Sequence, residues 1–79
     1  MKLVIEKMIK TWAKKNLSMD ISGDLFSEGK LDSLMFAELI AFLDAELKHE
    51  INFSDLSSWE TIKSLDGLST FIANQISES

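Results

Sequence analysis

The 79-residue sequence has no cysteine and no proline, a single histidine and three glycines. The lack of cysteine removes disulfides, zinc–thiolate centres and thiol redox chemistry. A chain this short cannot support two separate cores, and without disulfides or a metal its stability has to come from packed helices. One domain covering residues 1–79 is therefore expected. Basic residues are also scarce, 8 against 13 acidic, for a formal charge of −5. That surplus repels phosphate backbones and anionic bilayers, so neither nucleic acid nor a membrane is an expected partner. No apolar run approaches the roughly 20 residues of a membrane span. Met1-Lys2-Leu3 opens directly into a charged helical pattern without a signal-peptide core. A cytoplasmic monomer is the expectation.

The scarcity of bases weighs against catalysis. Nucleophilic chemistry needs a base beside the nucleophile, and no Ser-x-x-Lys or Gly-x-Ser-x-Gly arrangement is present. His49 falls at the end of a predicted helix, where the negative end of the helix dipole is reason enough for it. A metal site is not expected either. Asp20-Ile21-Ser22-Gly23-Asp24 begins like a calcium loop, but Leu25 stands where the turn needs Gly and Leu31 where a bidentate Glu is needed. Gly23 and Gly29 lack the Gly-x-Gly spacing and the following Lys-Ser/Thr of a phosphate cradle, and read as turn glycines.

What is present is helical periodicity. From Leu3 to Lys15, Ile5, Met8, Ile9 and Trp12 recur at i, i+3, i+4 and i+7, with Lys on the other side and Asn16 as a stop. Leu17 to Asp32 has no helical period and is a long loop, pinned by Met19, Ile21, Leu25, Phe26 and Leu31. A second helix is predicted over Ser33 to Lys48. Its core face is Phe36, Leu39, Ile40, Leu43 and Leu47; its opposite stripe is Leu34, Glu38, Ala41, Ala45 and Lys48, small and lightly charged for a face that meets only water. Ser54 caps a predicted short turn through Trp59. A last helix opens at Thr61, with Gly67 as a tolerated weak point. Trp12 and Trp59 read as core or rim packing residues, and Phe36, Leu43, Leu47, Ile5, Trp12, Leu65 and Leu68 are expected to form one core. The fold class is all-α: a small antiparallel bundle of three main helices plus one short helical turn, with a long first loop.

The stretch Glu28-Gly29-Lys30-Leu31-Asp32-Ser33-Leu34-Met35-Phe36-Ala37-Glu38-Leu39 resembles the phosphopantetheine attachment region of acyl and peptidyl carrier proteins. The core of the resemblance is Asp-Ser-Leu at the start of the second helix, with Glu38-Leu39 following at the family spacing. Helix order, length and acidity agree over nearly the whole chain. One departure is that Lys30 stands three residues before the serine, where Gly is frequent. The resulting Gly-x-Leu-Asp-Ser is similar to D-alanyl carrier proteins and other freestanding carriers.

The resemblance implies a carrier and not an enzyme, with the acyl-carrier-protein-like bundle already expected. Ser33 would receive 4′-phosphopantetheine from coenzyme A through a phosphopantetheinyl transferase, with Asp32 and Leu34 beside it. The terminal thiol would hold an acyl, aminoacyl or peptidyl thioester for a loading ligase and downstream synthase enzymes. Fatty-acid, polyketide, nonribosomal-peptide and D-alanine systems all share these features. Leu34, Met35, Glu38, Ala41 and Asp44 would meet partners, although Met35 and Ala45 replace residues often acidic in fatty-acid carriers. Independently of the family, a serine at a helix N-terminus suits a phosphodiester, because the dipole and unpaired N–H groups there favour an anion. Three other readings stay open: Asp32-Ser33 as nothing more than a helix cap, an unmodified helical domain that docks a partner through the second helix, and a small hydrolase with Ser33 as nucleophile.

Overall fold

A computed structural model describes residues 1–21, 23–26, 31–54 and 58–78. The order is α1 (Lys2–Leu17), α2 (Ser33–Leu47), a 3-10 turn (Trp59–Ile62) and α3 (Leu65–Glu78), with no strand among the described residues. Among the described residues it is the all-α bundle of three helices plus one short turn that the periodicity predicts.

The amphipathic stripe of α1 buries Ile5, Ile9, Trp12 and Ala13, mainly against α3. Lys14 and Lys15 occupy its last turn, next to the negative end of the dipole. The helix runs past Asn16, whose side-chain amide donates to the Trp12 carbonyl at 2.9 Å and so satisfies one of the last acceptors instead of stopping the helix. The turn away is made by Ser18 in the left-handed region (φ 54°). Lys2 pairs with Asp66 and so links the first turn of α1 to that of α3; the hydrogen bond to Asp66 raises the Lys2 pKa.

The first loop is held as its apolar residues predict. Ile21, Leu25 and Leu31 are buried, and Met19 and Phe26 pack partly on the core. Main-chain pairing adds to this. Leu25 N–H donates to the Lys63 carbonyl, and Leu65 N–H donates to the Gly23 carbonyl at 2.8 Å, zipping the loop to the start of α3. Gly23 sits at φ +65°, where an L side chain is strained.

The described 3-10 turn spans Trp59–Ile62 and is capped by Ser58, whose hydroxyl accepts from Glu60 N–H; the turn expected to open at Ser54 falls on residues 55–57, which lie outside the described residues. Three expectations are corrected. The closing helix begins at Leu65 and not at Thr61, because Ser64 Oγ accepts the Gly67 N–H at 2.9 Å and caps it. Phe36 and Leu47 are half-buried against the core instead of enclosed in it, as are Met35, Ile40 and Phe42, while Leu39 and Leu43 of the expected face are the fully enclosed residues of α2. Trp12, Ile5, Leu43, Leu65 and Leu68 do share the core.

The third correction concerns Gly67, which is required and not merely tolerated. A Cβ there would lie 1.9 Å from the Thr61 carbonyl oxygen, a backbone atom that cannot swing aside. Gly67→Ala, which helix propensity alone would make stabilising by about 1 kcal/mol, is expected instead to destabilise by about 1–3 kcal/mol. Urea unfolding followed by circular dichroism measures the sign directly.

Candidate functional site

The start of α2 is built by Asp32. Its extended backbone (φ −110°, ψ 180°) ends the loop, and its carboxylate accepts from Met35 N–H at 2.8 Å, while the first intrahelical bond runs from Phe36 N–H to the Asp32 carbonyl. Asp32 is thus the N-cap and Ser33 the first helical residue. The cap satisfies Met35, and the Ser33 and Leu34 N–H groups are directed out of the helix end, where the dipole is positive. Ser33 is exposed. Elsewhere serines at helix starts spend their hydroxyls on capping: Ser58 accepts from Glu60 N–H and Ser64 from Gly67 N–H. With Asp32 in the capping role, the Ser33 hydroxyl is not needed for it. Leu31 is buried directly before the pair and fixes the point where the chain leaves the core. Glu28, Gly29 and Lys30 of the motif lie outside the described residues.

The outer stripe of α2 is as predicted. Leu34 is 68% exposed, and Glu38, Ala41, Ala45 and Lys48 all face water. Met35 is half-buried against the core, which gives it a packing role that Leu34 does not have. Asp44 is also half-buried, and its carboxylate accepts from Ile51 N–H at 3.0 Å while its carbonyl accepts from His49 N–H. It therefore anchors the connector after α2. His49 stands at the other end of α2 from Ser33, roughly 20 Å away at 1.5 Å rise per residue.

A group of aromatic rings that the sequence did not single out lies beside this helix start. Phe36, in the turn that opens with Ser33, meets Phe26 from the loop, Trp59 from the 3-10 turn and Phe53 from the connector at centroid distances of 5.5, 5.9 and 6.1 Å. Phe53 in turn stacks on Phe71 of α3 at 5.5 Å. Trp59 is half-exposed at the rim of this group. Centroid separations of this size carry favourable ring-quadrupole contacts in addition to area burial. The cluster ties the segments around the α2 N-terminus together, which holds Asp32 and Ser33 in place.

A family model for the phosphopantetheine attachment site matches residues 4–69. The chain belongs to this family. No curated protein and no solved structure was found to match it. The phosphopantetheine attachment family carries 4′-phosphopantetheine covalently, and its members are carriers that meet modifying and synthase enzymes. The α2 N-terminus fits such a group: an exposed hydroxyl, outward N–H groups for a phosphodiester, and a cap supplied by a neighbouring residue. Among the described residues no cluster of acidic or histidine side chains suited to a metal occurs, and no helix is long and apolar enough to cross a membrane.

Proposed function

We propose that Ser33 is the attachment residue and that the chain is a cytoplasmic, monomeric acyl, aminoacyl or peptidyl carrier. The observation that carries this reading is the division of labour at the helix start: Asp32 caps, and the exposed Ser33 hydroxyl remains available. In the modification, Ser33 Oγ loses its proton and forms a new bond to the pantetheine-side phosphorus of coenzyme A as the pyrophosphate P–O bond breaks and adenosine 3′,5′-bisphosphate leaves, with a separate transferase supplying the catalysis. The bound arm supplies a flexible thiol; the protein supplies its position and the α2 surface that successive enzymes meet. The Gly29-Lys30-Leu31-Asp32-Ser33 sequence makes a D-alanine-activating ligase the first loading enzyme to test.

The hydrolase reading is disfavoured by distance, since His49 is the sole histidine and lies at the far end of α2. Incubation with coenzyme A and a broad-specificity phosphopantetheinyl transferase, followed by intact-mass spectrometry, is expected to show the gain of one phosphopantetheinyl group. An unchanged mass would leave the unmodified docking domain as the better account.

Docking is assigned to Leu34, Glu38 and Ala41 on the outer stripe, with Met35 and Asp44 contributing from its edges. Glu38→Lys is expected to slow phosphopantetheinyl transfer about three- to tenfold at low ionic strength, through the association rate, and to approach wild type as salt is raised. Leu34→Ser is expected to slow the same step with little salt dependence. Rates for Glu38→Lys equal to wild type in low salt would remove the charge contribution and leave the apolar contact alone.

A further inference from the structure

On the side of α2 away from Ser33, α1 and α2 leave a groove between them. Two adjoining cavities of about 370 and 330 Å³ share Thr11 and Phe42. Val4 and Met8 continue the apolar lining, and Val4 is 54% exposed. The groove runs from Val4 to Lys15, about 16 Å or three helical turns.

Its charge is opposite to that of the molecule. Five of the 8 basic residues lie on α1 against a single acid, Glu6, so that 12 of the 13 acids are elsewhere. Lys7 and Lys15 line the groove from the α1 side, and Lys10 and Lys14 are exposed on the same helix. Lys14 meets Asp20 at 3.8 Å, a pair too exposed to hold it firmly. The α2 side of the groove carries Glu46.

We propose that this groove is a docking site for an amphipathic helix of a partner protein, its apolar ridge lying between Val4, Met8 and Phe42 and its acidic flank facing Lys7 and Lys15. A helix suits the concave shape and the three-turn length. A flat bilayer suits neither the concave shape nor the three-turn length. On α2 the groove is lined by Phe42 and Glu46, with Glu38 and Ala45 of the outer stripe bordering Phe42 on the helix surface; Ser33 lies more than two turns from Phe42 and on the opposite side, so an occupant leaves Ser33 open. The site stands whether or not Ser33 is modified.

The test uses the full apo chain, ¹⁵N-labelled, titrated with a synthetic helical peptide of about four turns that carries a leucine ridge and glutamates on one flank. A second peptide has lysine at each glutamate. The glutamate peptide is expected to bind about tenfold more tightly, with shift changes confined to α1 and the Phe42–Glu46 turn. The Lys7→Glu, Lys15→Glu double variant is expected to reverse that preference, and Val4→Asp to weaken both peptides with an unchanged circular dichroism spectrum. Equal affinity for the two peptides overturns the proposal, as do shift changes centred on Leu34 and Ala41. Binding to phosphatidylcholine vesicles containing roughly one-third phosphatidylglycerol, abolished in the double variant, would assign the face to a membrane. A concentration-dependent dimer lost in that variant would assign it to a second copy.

Discussion

Replacing Ser33 with alanine is expected to abolish phosphopantetheine attachment completely and to leave the fold as it was. Both halves follow from the geometry of the α2 start. The hydroxyl is the acceptor of the group, so its removal takes away the only atom there able to form the phosphodiester. It takes no capping bond with it, because Met35 N–H is satisfied by Asp32. Ser33 is exposed in the first turn, and alanine is the best helix former, so the change in stability should stay within about 0.5 kcal/mol. Asp32→Ala is the complementary variant. It keeps the hydroxyl but removes the cap, at a cost of about 1 kcal/mol, and frays the turn that presents the serine. Its modification should be slowed and not abolished. Intact-mass spectrometry and thermal unfolding on the two variants separate these effects. A phosphopantetheinyl group still attached in Ser33→Ala, on Ser58 for example, would show the site to be misplaced.

The contrast among the serines also shows how far the sequence could be read. That α1, α2 and α3 exist is legible because each has an apolar stripe at helical spacing, and the serine that opens α2 is legible from Asp32-Ser33-Leu34. Which of Asp32 and Ser33 caps is not legible, since both residue types are good caps and only the bond to Met35 decides. The same ambiguity moved the start of α3: Thr61 and Ser64 both suit a helix start, and the chain uses Ser64. Met35, Phe36, Ile40 and Phe42 make α2 apolar around much of its circumference, so periodicity alone does not single out Leu39 and Leu43 as its two fully enclosed residues. The pairing of Gly23 and Leu25 with Lys63 and Leu65 is made by main-chain groups, which carry no side-chain signature. The close approach of Gly67 to Thr61 and the ring cluster around Phe36 join residues from separate segments, so no local pattern reports them.

Leu43→Ala is expected to bring the protein close to unfolding. Leu43 and Leu39 are the two fully enclosed residues of α2, and α2 touches α1 only sparingly because the groove beside Phe42 separates much of their length. This pair is therefore the fully enclosed part of the helix's contact, with Met35, Phe36, Ile40, Phe42 and Leu47 packing only partly on the core. Truncating a buried leucine costs about 2–5 kcal/mol, from lost transfer energy and from the cavity left behind. At roughly 0.05–0.15 kcal/mol per residue, the chain's total stability is about 4–12 kcal/mol, so one substitution removes a large part of it. Leu47→Ala, at a half-buried position on the same helix, should cost only about 1–2 kcal/mol because part of its side chain is already in water. Urea unfolding of both variants tests the ordering: the midpoint for Leu43→Ala should fall well below that for Leu47→Ala, with similar slopes. An unchanged midpoint for Leu43→Ala would put that side chain on the surface and turn α2 about its axis. Modification provides an independent readout, because Ser33 needs a formed helix start. Leu43→Ala should accept the phosphopantetheinyl group at low temperature, where the folded state is still populated, and lose that capacity on warming at a temperature where Leu47→Ala retains it.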